Sequence, residues 1–289
     1  MNTIHAHVAA ARQRLRAAGI PTDEAEIDAR VLAEHLLGWD AARFFSSANQ
    51  EEPECFAIDY ERLVARRAAR EPVAYIVGRQ EFWDLSFEVS PAVLIPRPET
   101  ELIVETSVEL FADRLAEVTI ADVCTGSGCL AIALACERPQ ARVTAIDISG
   151  AALDVARVNA ARHGVGDRVR FVRADILDRV TDCFDLIVAN PPYVPESERS
   201  SLQPEVHNHE PELALFGGSD GLTVVRRLVE QAPSRLSDRG VLIFEFGVDQ
   251  AERIAGLISA TEGLTMIGVR RDLQGIPRTA IARRFPSVS

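Results

Sequence analysis

The spacing of apolar residues changes along the chain, and in its first part the spacing is helical. Ile4, Val8, Ala11 and Leu15 recur at i, i+4, i+7 and i+11, which places them on one face of an α-helix. The Gly-Ile-Pro sequence at residues 19–21 ends this pattern, because proline does not continue a helix. The pattern therefore predicts an amphipathic helix.

Two more helices are predicted before residue 75. Asp23 followed by Glu26 matches a capping box at the start of the second helix, which ends at Gly38. A third helix covers residues 53–70 and stops before Pro72, since the residue before a proline disfavours the helical conformation. The second helix should bury an apolar stripe made of Ile27, Val31, Leu32 and Leu36.

Residues 81–95 change to alternation between apolar and polar positions, which is typical of short strands. The apolar members are Phe82, Leu85, Phe87 and Val89. This segment reads as a hairpin, and the segment after it reads as the start of another helix. We therefore predict a helical bundle over residues 1–75, a hairpin linker over 76–100 and a larger α/β domain over 101–289.

Apolar runs alternate with helical stretches from about residue 118 onwards. Such alternation predicts a parallel sheet covered by helices on both faces, as in Rossmann-like folds. The last two runs have no helix between them, so one end of the sheet should be antiparallel. The seven predicted strands are Val118–Val123, Arg142–Asp147, Arg168–Arg173, Phe184–Ala189, Val241–Phe246, Leu264–Val269 and Thr279–Arg283.

Composition and charge narrow the classes of function. A chain with 47% hydrophobic and 26% charged residues is expected to be globular. No apolar run of about 18 residues appears, and the first residues lack the core of a signal peptide, so we expect a cytoplasmic protein. The net charge of −12, with arginine as the only basic residue besides histidine, disfavours binding to long nucleic-acid duplexes. The net charge does not disfavour a protein partner or a partner that is contacted through a local basic patch.

The five cysteines indicate reduced thiols rather than a metal site or a disulfide framework. None forms a Cys-x-x-Cys pair or a cluster with histidine at ligand spacing. Their number is odd, and small buried thiols pack like apolar residues. They are Cys55, Cys124, Cys129, Cys136 and Cys183.

A glycine-containing turn follows the first predicted strand of the α/β domain. Gly126 and Gly128 allow the backbone to approach a ligand closely beside the positive end of the next helix. The second strand ends in Asp147, where a carboxylate can accept both hydroxyls of a ribose, and the third is followed by Asp175, which could accept from an adenine amino group. A turn without a ligand would explain the glycines alone. A dinucleotide is a second alternative, but the full GxGxxG spacing is absent.

The fourth predicted strand ends in Asn190-Pro191-Pro192-Tyr193, which is the main candidate for catalysis. An amide or aniline-like nitrogen is a poor nucleophile because its lone pair is delocalised. The side-chain oxygen of Asn190 and the carbonyl of Pro191 can each accept one N–H of an –NH2 group and direct its lone pair at a sulfonium methyl. Tyr193 would supply a flat wall. The alternative is a structural Asn-Pro turn that closes a buried strand.

These residues and their neighbours resemble the PrmC/HemK family, the glutamine N5-methyltransferases that modify class I peptide-chain release factors in translation termination. The NPPY motif is shared with adenine methyltransferases, whereas the segment EPVAYIVGRQEFWDLSFEVSPAVLIPRPETELIVE at 71–105 is specific to the family. DVCTGSGCLAIALA, HEPELALFGGSDGL and FEFG also fit, so that the resemblance covers about residues 70–285.

The resemblance implies a seven-stranded S-adenosyl-L-methionine-dependent methyltransferase whose substrate is the glutamine of the Gly-Gly-Gln motif of release factors. Asn190 and Pro191 would hold the amide, while Pro192 and Tyr193 would shape its slot. The implied cofactor contacts are Cys124, Thr125, Gly126, Ser127, Gly128, Asp147, Asp175, Ile176 and Asn190. As a weaker implication, three residues would close over the site, namely Phe82, Arg97 and Glu99; a surface ion pair is the alternative for the last two.

One residue departs from the family pattern. Cys124 stands where the family usually has glycine, and it is tolerable there if its φ is negative. We expect no redox role, since nothing near it in the sequence would lower the pKa of its thiol. In the bundle, a basic run is interpreted as a solvated helix face rather than a partner contact; it comprises Arg62, Arg66, Arg67 and Arg70.

Three rival functions remain open at this point. A glutamine methyltransferase for a ribosomal protein would share nearly every motif. An adenine-N6 methyltransferase acting on a flipped base would need a recognition region, but only about 45 residues separate Tyr193 from the fifth strand. A catalytically idle module would conflict with the intact Asn190 and Asp147. We expect a monomer with no membrane and no direct nucleic-acid partner.

Overall fold

The structure is a computed structural model that describes residues 3–285. Its internal contacts divide the chain into two units. The first unit runs to Arg79 and includes the distant segment Gln203–His209. The second comprises Gln80–Leu202 and the chain from Glu210 onwards.

The described residues form helices and strands in the following order along the chain. The helices are α1 Ile4–Ala17, α2 Thr22–Leu37, α3 Ala41–Ser47, α4 Phe56–Ala68, α5 Val73–Val77, α6 Glu101–Leu110, α7 Cys129–Glu137, α8 Gly150–Arg162, α9 Pro204–His209, α10 Glu212–Leu215, α11 Thr223–Gln231 and α12 Ala251–Ala260. The strands are β1 Arg79–Phe82, β2 Leu85–Glu88, β3 Thr119–Val123, β4 Arg142–Asp147, β5 Val169–Arg173, β6 Phe184–Ala189, β7 Leu236–Glu245, β8 Leu264–Arg271 and β9 Pro277–Arg284. Between residues 3 and 285 no helix is long and apolar enough to cross a membrane.

Helix α1 buries the face that the sequence predicts, made of Ile4, Val8, Ala11 and Leu15. These side chains pack with those of α2 and α4 in one apolar core. The ring of Tyr60 is buried in this core, and its hydroxyl donates a hydrogen bond to the carbonyl of Ala29 at 2.7 Å. A buried phenol needs such a partner, so this bond fixes α4 against α2.

Helix α2 differs from the prediction in its cap and in its buried face. Pro21 occupies the cap position and no side chain caps the helix, so the predicted capping box is wrong. Asp23 lies instead in the first turn, where a carboxylate favours the positive end of the helix dipole. The buried residues are Ala25, Ala29, Leu32 and Ala33. Of the predicted stripe only Leu32 is buried, and Ile27 is 53% exposed.

The predicted third helix is confirmed as α4, although it is shorter than expected, and α3 lies before it without having been predicted. Helix α3 has a polar start, since Asp40 accepts a hydrogen bond from the backbone N–H of Arg43 at 2.7 Å. An apolar stripe is absent from so short a helix, because only Phe44 is buried. A short helix of this kind gives little periodic signal.

The basic run on α4 is not a uniformly solvated face. Arg62 fits that interpretation, but the side chain of Arg67 is only 4% exposed. Arg67 donates to Asp28 at 2.6 Å and to Glu205 of α9 at 2.7 Å, while Arg70 donates to Glu205 at 2.7 Å. A buried guanidinium requires such partners, and these ion pairs hold α9 within the first unit.

The hairpin forms as predicted, with β1 and β2 paired in a two-stranded sheet. Its two turn residues, Trp83 and Asp84, both have positive φ values of 52° and 54°. Such values are those of a type I′ turn, whose twist matches that of paired strands. Phe82 and Phe87 belong to the core of the second unit, where they pack edge to face.

The second unit contains a seven-stranded sheet in the order β5-β4-β3-β6-β7-β9-β8. Its strands are parallel except β9, which is antiparallel to both β7 and β8. All seven predicted strands are present, so the predicted seven-stranded α/β fold with an antiparallel end is confirmed. The chain passes from β3 to one side of the sheet and later returns to the other side at β6. This reversal between β3 and β6 creates a crevice at their carboxyl ends, where ligands bind in open α/β sheets.

Helix α7 lies directly behind that crevice and is apolar on every side. Its residues from Leu130 to Ala135 are all buried. A helix without a polar face must be enclosed, so α7 is held firmly against the sheet. Its N-terminus therefore has a fixed position beside the loop that follows β3.

Candidate active site

A cavity of about 290 Å³ lies at the carboxyl ends of the parallel strands of the second unit. It receives residues from the loops after β3, β4, β5 and β6, since parallel strands end at the same edge of the sheet. Nine of the twelve candidate substrate and cofactor contacts predicted from the sequence line it, namely Cys124, Thr125, Gly126, Ser127, Asp147, Asp175, Ile176, Asn190 and Pro192.

The loop after β3 is held from below by Asp122, which is fully buried. One of its carboxylate oxygens accepts hydrogen bonds from the Thr125 hydroxyl at 2.5 Å and from the Ala131 backbone N–H at 3.0 Å. The other oxygen has no hydrogen-bond partner within residues 3–285. Burial raises the pKa of Asp122 to about 7, against the opposing effect of the two hydrogen bonds.

Asp147 connects the ends of β3 and β4. Its carboxylate accepts from the backbone N–H of Gly126 and from that of Ser149, both at 2.9 Å. Burial raises the pKa of this carboxyl, and the backbone hydrogen bonds partly oppose that rise. Each oxygen keeps a second lone pair, so the carboxylate can still accept from hydroxyl groups in the cavity.

Asp175 has a partner that the sequence analysis missed. Arg227 of α11 also lines the cavity, and its guanidinium donates to the carboxylate of Asp175 at 3.1 Å with a second contact at 2.9 Å. Such a pair orients both side chains. The apolar periodicity of α11 gave no signal that one of its polar residues reaches this cavity.

Two residues of the cavity wall have strained backbones. Cys124 has a φ of 62° and Ile176 a φ of 58°, both in the left-handed region that favours glycine. The condition under which Cys124 would fit without strain, a negative φ, is therefore not met, whereas the glycine usual at that position would be unstrained. Burial raises the pKa of the Cys124 thiol, and the nearby carboxylates raise it further, so the thiolate is disfavoured.

Gly128 does not line the cavity but has a packing role at the start of α7. Its φ is 83°, and a Cβ atom there would lie 3.0 Å from the side chains of Ala156 and Ile132. The close approach of α7 to α8 therefore depends on the missing side chain.

Asn190 lies at the end of β6 and is held by residues that the sequence analysis did not assign. Its side-chain Nδ2 donates to the hydroxyl oxygen of Thr100 at 2.9 Å. The Thr100 hydroxyl donates in turn to buried Glu245 at 2.6 Å, and the Tyr193 hydroxyl donates to the other oxygen of Glu245 at 2.9 Å. A glutamate directly after the apolar run at 241–244 of β7 was the available signal, because a charged residue is rarely buried unless it is paired.

Several other candidates lie outside the cavity. Pro191 and Tyr193 are not among its lining residues, and Phe82 lies in the hydrophobic core, so the expectation that Phe82 closes over the site is wrong. Arg97 forms an ion pair with buried Glu210, whose second oxygen accepts from the backbone N–H of Ile95. Glu99, the third residue expected to close over the site, lines a separate cavity.

The outer wall of the cavity is apolar. Ile148 and Leu213 are partly exposed on it, and Phe216 and Val224 also contribute. Such a wall suits a flat, weakly polar group such as a nucleobase, whose faces gain from contact with apolar side chains. The cavity thus combines carboxylate acceptors, a glycine-containing loop and an apolar wall.

Comparison with known proteins gives matches in both parts of the chain. Residues 7–78 match the family described as PrmC N-terminal domain, and residues 100–207 match the Methyltransferase small domain. The release factor glutamine methyltransferase of Bradyrhizobium diazoefficiens is 43% identical over 275 residues, which cover 94% of this chain and 92% of that protein. The protein of the same description from Mycolicibacterium smegmatis is 42% identical over 286 residues, 99% of each.

A solved structure supports the fold alone. It is a 16S rRNA N2 methyltransferase from T. thermophilus in complex with AdoMet and guanosine, with a TM-score of 0.51 and 16% identity. The alignment covers 71% of this chain and 49% of that chain. Both the sequence comparisons and the structural comparison thus find methyltransferases.

Proposed function

We propose, from the premise that this chain belongs to the release factor glutamine methyltransferase family, that it methylates the side-chain amide nitrogen (N5) of a glutamine. The substrate would be the glutamine of the Gly-Gly-Gln motif in class I peptide-chain release factors, and the methyl donor S-adenosyl-L-methionine. The observation that carries the proposal is that Asn190 shares one cavity with Gly126 and Asp147. The proposed acceptor for the amide thus lies beside the proposed pocket for the nucleoside.

The residues of the cavity fit S-adenosyl-L-methionine. Asp147 would accept from the ribose hydroxyls, and the loop at 124–127 would lie against the methionine part of the cofactor. Ile176 and the apolar wall would contact the adenine, with the carboxylate of Asp175 available at its edge. When bound, this cofactor supplies a methyl group on a positively charged sulfur.

The chain's own contribution to the reaction would be orientation. The Asn190 oxygen and the Pro191 carbonyl would accept the two N–H groups of the glutamine amide, which leaves the nitrogen lone pair as the reactive direction. A bond forms between this nitrogen and the methyl carbon while the bond from that carbon to sulfur breaks. The nitrogen then loses a proton to solvent, so the reaction requires no strong general base. Pro192, which lines the cavity, would limit the slot to a planar group, and Tyr193 would support it from outside the cavity through its hydrogen bond to Glu245.

The helical first unit is proposed to dock the release factor. Its basic run offers little free charge for this purpose, because Arg67 and Arg70 are committed to Glu205. Docking through other surfaces of the unit is therefore favoured. The proposed site of action is the cytoplasm, where release factors work on ribosomes.

The test is mass spectrometry of a purified class I release factor after incubation with this protein and S-adenosyl-L-methionine. We expect a gain of one methyl group, about 14 Da, on the Gly-Gly-Gln peptide, and no gain with the Asn190→Ala variant, because the amide then loses an acceptor. Cofactor affinity measured by calorimetry should stay near that of the wild type in this variant.

A release factor with glutamate in place of the glutamine is the substrate control and should gain nothing. Methylation of a ribosomal protein or of adenine, without methylation of the release factor, would replace the proposed substrate. A near wild-type rate in Asn190→Ala would contradict the proposed role of the NPPY motif. If the wild type does not bind S-adenosyl-L-methionine, the protein would instead be a catalytically idle module.

A further inference from the structure

A chain of buried hydrogen bonds lies behind the proposed substrate acceptor. It runs from Asn190 Nδ2 to Thr100 Oγ1 at 2.9 Å and from the Thr100 hydroxyl to Glu245 Oε2 at 2.6 Å. The Tyr193 hydroxyl donates to Glu245 Oε1 at 2.9 Å. Thr100 and Glu245 are each only 1% exposed, so water cannot easily replace either partner. Each group in the chain therefore depends on its neighbour.

The donors and acceptors in this chain of hydrogen bonds must run in one direction, because a hydroxyl carries only one proton. An ionised Glu245 accepts hydrogen bonds at both oxygens, and one of these bonds comes from the hydroxyl of Thr100. The Thr100 oxygen can then only accept from Asn190, so it must face the nitrogen end of that amide. The oxygen end of the Asn190 amide consequently points away from Thr100.

We propose that Thr100 and Glu245 are positioning residues that fix the orientation of the Asn190 amide and so keep its oxygen available to the substrate. This inference rests on the proposed function, in which Asn190 Oδ1 accepts an N–H of the glutamine amide. With the amide reversed, Asn190 would present N–H groups to the N–H groups of the substrate. The acceptor would then become a repulsive donor.

The direction of the chain depends on the charge of Glu245. A protonated Glu245 can donate a hydrogen bond to the Thr100 oxygen, and the Thr100 hydroxyl can then donate only to the oxygen end of the Asn190 amide, so the amide reverses. Burial raises the pKa of Glu245, and the hydrogen bonds from Thr100 and Tyr193 oppose this. Of the charged groups around it, Glu99 raises the pKa further and Arg278 lowers it. Activity should therefore fall as the pH falls through this raised pKa and Glu245 takes up a proton.

The first experiment replaces the hydroxyl of Thr100 in the full chain and measures kcat on a purified class I release factor. Thr100→Val should lower kcat by about 10²-fold, the cost typical of losing one preorganised polar contact at a reacting group. Thr100→Ser keeps the hydroxyl and should stay within about threefold of the wild type. The dissociation constant of S-adenosyl-L-methionine should change little in either variant.

A matched control lies on α6, the helix that begins directly after Thr100. Thr106 is also buried, but its hydroxyl has no hydrogen-bond partner in the described part of the chain. Thr106→Val makes the same chemical change without touching the network, so kcat should be retained. Equal losses of kcat in Thr100→Val and Thr106→Val, or in Thr100→Val and Thr100→Ser, would overturn the proposal.

The second experiment measures the pH profile. In the wild type, kcat should decrease as the pH is lowered. In Glu245→Gln, kcat should be lower than in the wild type at neutral pH and should not decrease further in acid. The glutamine amide can face Thr100 with either end and cannot titrate. If kcat of Glu245→Gln decreases at low pH as in the wild type, another group causes the decrease, and the proposed role of Glu245 is contradicted.

A third measurement does not depend on turnover. The side-chain NH2 resonances of Asn190, identified by their loss in Asn190→Ala, should show slowed hydrogen exchange in the wild type and fast exchange in Thr100→Val. Fast exchange in the wild type would overturn the inferred orientation. If the wild type methylates no release factor, the proposed substrate fails, while this measurement still decides the orientation of Asn190.

Discussion

The carboxylate of Asp147 accepts a hydrogen bond from the backbone N–H of Gly126 at 2.9 Å, which joins the end of β4 to the loop after β3. Both residues line the same cavity. Asp147 therefore has two tasks in the proposed function, since it holds the loop and faces the ribose. Its removal should affect cofactor binding through both.

We predict that Asp147→Ala weakens the binding of S-adenosyl-L-methionine by about 2 kcal/mol or more, as expected for losing a charged acceptor. Isothermal calorimetry measures this directly. Asp154→Ala is the control, because Asp154 is a largely exposed aspartate on α8 that does not line the cavity. An unchanged dissociation constant in Asp147→Ala would remove this residue from the proposed ribose site.

The sheet was predictable from the sequence because parallel strands are buried on both faces. β3, β4 and β6 consist almost wholly of buried residues, so each appears as an apolar run. The carboxyl ends of such strands meet at one edge, which is why Asp147 and Asn190 were expected to lie together. Asn190 and Asp147 do line one cavity, while their chemical roles stay predictions.

Other features depend on contacts that are distant in sequence. The buried face of α2 is set by alanines that fit closely against α1 and α4, whereas the prediction followed the larger apolar residues such as Ile27. Thr100 and Glu245 are 145 positions apart and only the fold joins them. The backbone angle of Cys124 is likewise imposed by the turn and carries no compositional signal.

The strained backbone at Cys124 predicts that glycine gives a more stable protein than alanine at this position, the reverse of the usual order. Cys124→Gly should be more stable than Cys124→Ala by about 1 kcal/mol, because alanine keeps the left-handed strain and glycine removes it. Chemical unfolding in urea measures the difference. At Cys183, which is exposed and lies outside the left-handed region, the same pair should favour alanine. The same preference at both positions would contradict strain as the cause.

The contact between α7 and α8 predicts a large cost for adding one methyl group. In Gly128→Ala the new Cβ would lie 3.0 Å from Ala156 and Ile132, at a φ of 83°. Strain and overpacking together should lower the free energy of unfolding by about 2 kcal/mol or more. Gly166→Ala is the control, since no atom lies within 4 Å of its added Cβ and its φ is not left-handed. Equal effects at the two glycines would exclude close packing as the role of Gly128.

The buried carboxyl of Asp122 predicts a dependence of stability on pH. Its pKa is raised from 3.8 to about 7 in the folded state, so between these values the folded protein holds a proton that the unfolded chain releases. The contribution of Asp122 to the free energy of unfolding is therefore largest at low pH. It decreases by about 1.4 kcal/mol per pH unit as the pH rises towards 7. Above pH 7 the charged form remains buried, with one oxygen that has no hydrogen-bond partner in residues 3–285.

Asp122→Asn removes this titration while keeping the shape of the side chain. Its stability relative to the wild type should rise from pH 5 to pH 7 and then level off, since asparagine stays neutral and its amide oxygen can still accept from Thr125 and Ala131. Urea unfolding at a series of pH values gives the difference, and Asp167→Asn, at an exposed aspartate, provides the comparison. A difference that does not change with pH would mean that Asp122 is already charged in the folded protein at pH 5, and that the loop after β3 tolerates a buried carboxylate beneath it.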